Sequence, residues 1–392
     1  MNRVTPLALM IAGLLGTAPA MAADEELRQE IENLKQENRT IMERLNATSE
    51  MIENNRSAGA ASPVSIGGYG ELHYNNLSNN LAGGSDKDML DFHRFVLFFG
   101  YEYTDDIRFF SELEIEHAYA ADSADGSKPG AVELEQAYVE FDLNDKTSAK
   151  GGVFLLPVGI LNETHEPPTF YGVERNPVEK NIIPTTWWAA GAELTGRFGQ
   201  GFSYNLGIHE GLKLDPSGDM AVRSGRQKSA EADASDLAST ARLKYTGIPG
   251  LELAATVQHQ TDISQAPGDN LGSANLIEAH AIYTSGAFGL RALYATWDLD
   301  GTAPAANGAD EQTGWFIEPS YKLTSKFGVF ARHNVWDNQA GSSADTEYSQ
   351  TDVGFNYWPH EDVVIKMDYQ TQDAPAGENE YDGFNVGIGY QF

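Results

Sequence analysis

Asp382-Gly383-Phe384-Asn385-Val386-Gly387-Ile388-Gly389-Tyr390-Gln391-Phe392 is the stretch on which the fold turns. In an extended chain successive side chains point to opposite faces. Phe384, Val386, Ile388, Tyr390 and Phe392 therefore share one face, which is wholly apolar. Asn385, Gly387, Gly389 and Gln391 share the other, which is small or polar. Such a strand suits a sheet with lipid on one side and water on the other, closed so that no backbone edge is left unpaired in a membrane. A soluble sandwich can carry the same alternation, so the reading depends on recurrence upstream.

The alternation recurs from Val64 onward, where the period of the apolar residues is two and sixteen strands are predicted. They run near Val64–Tyr74, Asp91–Tyr103, Ile107–His117, Val132–Leu143, Ser148–Leu156, Trp187–Phe198, Phe202–His209 and Leu237–Tyr245. The second half supplies Leu251–His259, Leu276–Thr284, Phe288–Trp297, Thr313–Leu323, Phe327–Trp336, Glu347–Trp358, Val363–Thr371 and Gly383–Phe392. Tight turns such as Thr104-Asp105-Asp106, Asn144-Asp145-Lys146 and Gly199-Gln200-Gly201 alternate with long polar loops such as Asn75–Leu90, Pro157–Thr186 and Gly211–Asp236. Short turns at one end, long loops at the other and an even strand count predict an all-β membrane protein. The expected fold is a 16-stranded antiparallel transmembrane β-barrel over residues 64–392.

Ahead of the barrel the sequence changes character. Residues 1–22 read as a secretory signal peptide, with Arg3, an apolar core from Leu7 to Leu15, and the small-x-small pattern Ala20-Met21-Ala22. Residues 23–55 carry heptad spacing, with Leu27, Ile31, Leu34, Asn38, Ile41, Leu45 and Ile52 forming a narrow seam on a charged helix. A seam of that width pairs with copies of itself, which predicts an N-terminal α-helical coiled coil; a lone solvated helix is the alternative. Residues 56–63 read as a linker.

Composition narrows the function. The chain has 392 residues and no cysteine, which excludes disulfides and thiolate chemistry. Its 57 acidic and 26 basic residues give a formal net charge of −31, which argues against a nucleic-acid partner. That charge reads mostly as solubility of exposed loops, with a cation-favouring bore as the sharper possibility. The nine histidines are scattered, without metal-ligand spacing, so neither a metal nor a cofactor is expected. Asp215, Asp219, Asp298 and Asp300 lie in motifs too short for an EF-hand.

The alternation also assigns sides. With the apolar residues facing lipid, Arg94, Arg108, Glu112, Glu114, Glu140, Arg242, Lys244, Arg291, Glu318, Arg332, Lys366 and Asp368 turn inward and are expected to line a pore. A charge facing hydrocarbon at mid-depth costs up to about 2–4 kcal/mol, so so many charged strands demand water or opposite charge inside. Any single pair, Arg94 with Glu112 for instance, reads first as an ion pair bracing the wall. The loop Pro157–Thr186 holds five prolines and the charged or titratable residues Glu163, His165, Glu166, Glu174, Arg175, Glu179 and Lys180. Stiff, charged and without an apolar pattern, it is expected to enter the bore as a constriction. The alternative is a loop lying over the outside or against a neighbouring subunit.

Gly151-Gly152-Val153-Phe154-Leu155-Leu156-Pro157-Val158-Gly159, followed by a charged loop and Trp187-Trp188-Ala189-Ala190-Gly191, resembles the phosphate-selective porin O/P family. So do Arg94 and the run Gln136-Ala137-Tyr138-Val139-Glu140-Phe141. The resemblance covers residues 64–392 and implies a sixteen-stranded porin, a homotrimer, in the outer membrane of a Gram-negative bacterium. It also implies contact with outer-membrane lipid and lipopolysaccharide, and the family's terminal aromatic, an assembly signal, matches Phe392. Some members carry an N-terminal coiled coil, here expected in the periplasm. The chain departs from the family in its charges: the family's conduit is rich in lysine and arginine, whereas here nearly as many acids face inward as bases. The expectation is a non-enzymatic channel for passive diffusion of ions and small hydrophilic solutes, without strong phosphate selectivity. The rival readings are a barrel that merely anchors a coiled coil tethering the outer membrane to the cell wall, and a barrel enzyme with a Ser–His site.

Overall fold

A computed structural model of the protein describes residues 62–119, 130–266 and 271–392. The signal peptide, the coiled-coil seam from Leu27 to Ile52 and the linker up to residue 61 lie outside the described residues. Sixteen strands follow: β1 (Val64–Asn79), β2 (Lys87–Thr104), β3 (Ile107–Glu116), β4 (Val132–Asn144), β5 (Thr147–Leu155), β6 (Trp188–Phe198), β7 (Phe202–His209) and β8 (Ala238–Ile248). Then come β9 (Leu251–Gln260), β10 (Ser273–Ser285), β11 (Phe288–Asp300), β12 (Glu311–Thr324), β13 (Phe327–Asp337), β14 (Tyr348–His360), β15 (Val363–Asp373) and β16 (Tyr381–Gln391). Two short helices, α1 (Pro177–Asn181) and α2 (Thr302–Asn307), sit in the long loops.

Each strand pairs antiparallel with its sequence neighbours, and β1 closes on β16, from Tyr69 opposite Gln391 to Asn79 opposite Tyr381. Closure removes the sheet edges, which no lipid-facing sheet can leave open. The strand β16 behaves as its sequence demands. Phe384, Val386 and Ile388 are exposed on the outer surface, while Gly383, Asn385, Gly387 and Gly389 are buried inside. The predicted sixteen strands and their short–long alternation of connections stand, with ends differing by a few residues.

The interior holds more than the wet bore and charged constriction that the sequence predicts. A dry core fills one side of it. Leu156, Val158, Ile160, Val178, Ile182, Ile183 and Trp187 from the loop after β5 pack on Leu212, Leu214, Met220 and Val222 from the loop after β7. Both loops pack on the inward residues Leu276, Leu293, Trp297, Phe316 and Trp336 of β10–β13. Full burial of one such side chain contributes about 1.5–3 kcal/mol. Polar side chains on the wall finish the attachment: Gln260 bonds both backbone groups of Leu212 (2.9 and 2.8 Å), and Gln312 accepts from Val222 N (3.2 Å) and donates to Met220 O (2.8 Å).

Candidate functional site

The segment 157–186 crosses the inside of the barrel, and the wall is cut to receive it. A Cβ at Gly387 would come within 3.0 Å of Val173, and one at Gly389 would run into Pro167. Inward glycines at 314 and 328 likewise leave room for Ile182 and Tyr171. The expectation that this segment lacks an apolar pattern is corrected: its apolar residues are dispersed among prolines and charges but bury together. Helix α1 folds locally because Asn176 caps it, accepting from Glu179 N at 2.8 Å, with Pro177 at the first helical position.

The loop's charged residues divide by role. Glu179 faces the loop itself: its Oε1 accepts from the backbone N of Ile160 and Leu161 at 2.6 Å each, and its Oε2 accepts from Asn176. Burial pushes its carboxyl up against those donors. It is a staple rather than a conduit residue, which corrects that part of the expected constriction. Lys180 is exposed. Glu163 pairs with Arg242 of β8 and is held below its usual range: burial would raise it, and the Arg242 guanidinium outweighs burial. Glu174 bonds His73 (3.0 Å) and Asn75 (3.1 Å) of β1. Burial would raise the Glu174 carboxyl, but the charge and hydrogen bond of His73 hold it well below the carboxylate range. Arg175 Nη1 donates to Thr186 Oγ1 at 2.6 Å, and its Nε and Nη2 have no hydrogen-bond partner among the described residues. His165 and Glu166 are buried.

The inward wall residues fall into two sets. Arg94, Glu112, Glu114, Arg242, Glu318, Arg332, Lys366 and Asp368 do face inward, but they are buried against the loop or each other. Arg94 pairs with Glu71 (2.7 Å) and Glu114 (3.5 Å), not with Glu112. Arg332 lies between Glu318 (3.2 Å) and Asp352 (3.1 Å) and donates to Tyr171 O of the loop. Lys366 Nζ stands 3.4 Å from the Phe170 ring centroid, and Asp368 accepts from Val173 N at 2.7 Å. Arg242, Arg332, Lys366 and Asp368 thus seat the loop rather than line open water, while Arg94 is paired within the wall.

Arg108, Glu140, Lys244 and Arg291 keep partial exposure nearer the short turns. Arg108 forks onto Asp142 (2.7 and 2.9 Å) and reaches Glu140 at 2.9 Å. Lys244 lies 3.4 Å from Glu252. A cavity of about 540 Å³ opens between the loop and the short turns. Pro168, Phe170 and Tyr171 roof it, and the turns at Gly286, Ser325 and His360 edge it. Arg242, Lys244, Arg291, Lys322 and Lys326 line it against Glu163, Glu252 and Glu361. Five cations facing three carboxylates give this vestibule a positive balance that the whole-chain charge conceals.

Sequence spacing missed what folding brings together. His73 of β1 stacks on His93 of β2 with ring centroids 4.8 Å apart, and His93 meets His117 at 5.6 Å. Asp91 lies 3.1 Å from His93 and 2.8 Å from His117. His165 of the loop meets Glu112 and Glu135. No sequence signal marked either group: the β1–β2 register shifts between Glu71 and His73, which breaks the alternation that would have set His93 on the opposite side from Arg94, and His117 lies beyond the end of β3.

No family model matches the chain. An uncharacterized protein of Aquifex aeolicus (strain VF5) is 30% identical over 367 residues, covering 84% of this chain and 80% of that one. Among solved structures, the outer membrane channel DcaP of Acinetobacter baumannii is similar with a TM-score of 0.58 at 14% identity, over 84% of this chain and 97% of that one. The anion-selective porin from Comamonas acidovorans gives 0.58 at 14% identity, over 84% and 99%. At these identities the likeness is one of fold, and the fold is the porin barrel.

Proposed function

This chain belongs to one family with the Aquifex aeolicus protein, and on that premise we propose that it is an outer-membrane porin, a channel for passive diffusion of ions and small hydrophilic solutes. The closed sixteen-stranded barrel, apolar outside and charged inside, carries the reading. Such a surface is stable only with lipid around it, and a barrel of this strand number is wide enough to hold water beside an inner loop. The loop 157–186 acts as the constriction, with Glu163 and Glu174 as its charged rim and Lys180 exposed. The wall set Arg108, Glu140, Lys244 and Arg291 lines the wet remainder.

Within porins, the motifs at Gly151–Gly159 and Trp187–Gly191 favour kinship with the phosphate-selective O/P-like group, in fold rather than in solute. Selectivity is weak, because the cationic vestibule opposes an acidic chain. The working unit is a homotrimer in the outer membrane of a Gram-negative bacterium, in contact with lipid and lipopolysaccharide, with the coiled coil of residues 23–55 in the periplasm. No enzymatic step is assigned to it. A pore keeps its conductance when residues 24–60 are deleted, whereas a tether loses its role.

Purified protein in planar bilayers gives conductance steps in groups of three, and a salt gradient gives reversal potentials near zero. Absence of conductance sinks the pore; strong anion preference sinks the selectivity reading alone.

A further inference from the structure

Under the inner loop, three side chains from three separate segments converge. His165 Nε2 lies 3.4 Å from Glu112 Oε1 of β3 and 3.6 Å from Glu135 Oε2 of β4. The three ligand atoms all lie within 4.8 Å of one another. The residues are 3%, 1% and 2% exposed, and among the described residues neither His165 Nε2 nor Glu135 Oε2 has a hydrogen-bond partner. Two orphaned polar atoms, both buried, thus point at one spot. Buried polar groups in native proteins are nearly always partnered, so such a pair calls for an occupant.

Local structure builds the arrangement. The β3–β4 pairing slips between Glu112–Gln136 and Leu113–Leu134, which leaves Glu135 as an extra residue in β4. Consecutive residues of a regular strand face opposite sides, but this bulge turns Glu135 inward beside Gln136. The histidine is oriented from behind: its Nδ1 lies 3.2 Å from Asn162 O, and a proton donated there leaves Nε2 as the nitrogen facing the carboxylates. Asn162 is itself fixed, donating to Leu156 O and Trp187 O and accepting from Trp187 N. Glu112 Oε2 accepts from Gln136 Nε2 at 2.7 Å, which holds that carboxylate from the far side. Ligands held by outer hydrogen bonds in this way are the usual supports of a metal ion.

The spacing argues the same way. Around a tetrahedral ion with nitrogen and oxygen ligands at about 2.0–2.2 Å, ligand atoms sit about 3.4 Å from one another. Charge-assisted hydrogen bonds instead draw in to about 2.7–2.9 Å. We propose that Glu112, Glu135 and His165 form a site for one divalent transition-metal ion, zinc in its coordination preference, that clasps the inner loop to the β3–β4 wall. One imidazole and two carboxylates suit zinc, manganese or cobalt, and the lack of sulfur disfavours soft ions. When no metal is present a proton takes its place: burial and the Arg175 charge would lower the His165 imidazole, but Glu112 and Glu135 push it up to about 10. Binding then releases that proton. The proposal does not depend on what crosses the barrel.

The test uses the full chain folded in detergent, exposed to zinc chloride, desalted and analysed for zinc per chain. Wild type retains one equivalent, and zinc raises its unfolding temperature. Glu135→Gln and His165→Gln, checked for folding by heat-modifiable gel migration, lose binding on the order of a hundredfold or more. His117→Ala, which alters the more exposed Asp91–His93–His117 group, retains it. X-ray absorption on zinc-loaded wild type shows one imidazole and carboxylate oxygens; two imidazoles place the ion at the other group and overturn the proposal even if the glutamine variants do not fold. Absence of retained zinc in wild type, or equal retention in Glu135→Gln, overturns it as well and leaves an imidazolium braced by two carboxylates.

Discussion

The inner loop is held on two sides by unlike means. Against β10–β13 it is dry: Val178, Ile182 and Ile183 pack with Trp297, Phe316 and Trp336, and Trp297 Nε1 donates to Ile182 O at 2.9 Å. Against β1 and β13–β15 it is charged: Glu174 on His73, Tyr171 and Glu174 carbonyls on Arg332, Val173 on Asp368. Apolar contact depends little on pH and salt, whereas ionic contact depends on both. The dry side therefore fixes where the loop lies, and the charged side sets how firmly its free flank closes the bore.

The largest effect is expected on the dry side. Trp297 is fully buried, lies tilted against Trp187 at 6.1 Å between centroids, and holds a loop carbonyl. Trp297→Ala lowers stability by about 3–5 kcal/mol, read as a lower unfolding temperature in detergent. An unchanged temperature would show that the loop is not anchored there and would break the comparison at its root.

A smaller effect sharpens the charged side. Glu174 has a side chain 42% exposed, so its tie to His73 is partly screened and contributes about 1 kcal/mol. Its folded-state pKa lies below the ordinary 4.5, so its stabilisation is complete above that value and is lost as the pH falls through the depressed one. Single-channel current should stay quiet from neutrality down to about pH 4.5 and grow noisy in stronger acid. Glu174→Gln should be noisy already at neutral pH, with no acid step. A quiet variant, or a wild-type transition near neutrality, assigns the flank to other contacts.

Such long-range ties are also where the sequence falls silent. Strands were legible because their signals are local: alternation in β16, and Gly or Asp at turns such as Asp105-Asp106. The inner loop's position was legible in outline, since five prolines and many charges mark Pro157–Thr186 as unusual. Its dry face was not, because Val158, Val178 and Ile182 follow no single period and find partners only across the barrel. The inward glycines of β12, β13 and β16 carried that footprint, yet a glycine facing a bore reads the same whether water or Pro167 lies opposite. Glu135 was hidden for another reason. A bulge breaks the parity on which every inward assignment rested, and nothing in Leu134-Glu135-Gln136 announces one.

The vestibule supplies the smallest effect and a test of the whole electrostatic account. Lys322 lines it, exposed, with Nζ 5.9 Å from the Trp358 ring centroid. Lys322→Gln removes one of the five cations facing three carboxylates there. In dilute salt the reversal potential should move toward cation preference by on the order of a few millivolts, since one charge among several tilts a local field without inverting it. The shift should shrink as salt rises, because the screening length falls from about 10 Å at 0.1 M to about 3 Å at 1 M. A shift that survives concentrated salt means that Lys322 acts by shape or by direct contact with the permeating ion. The positive balance of the vestibule would then have no bearing on selection, and selectivity would have to be sought at the loop's charged rim.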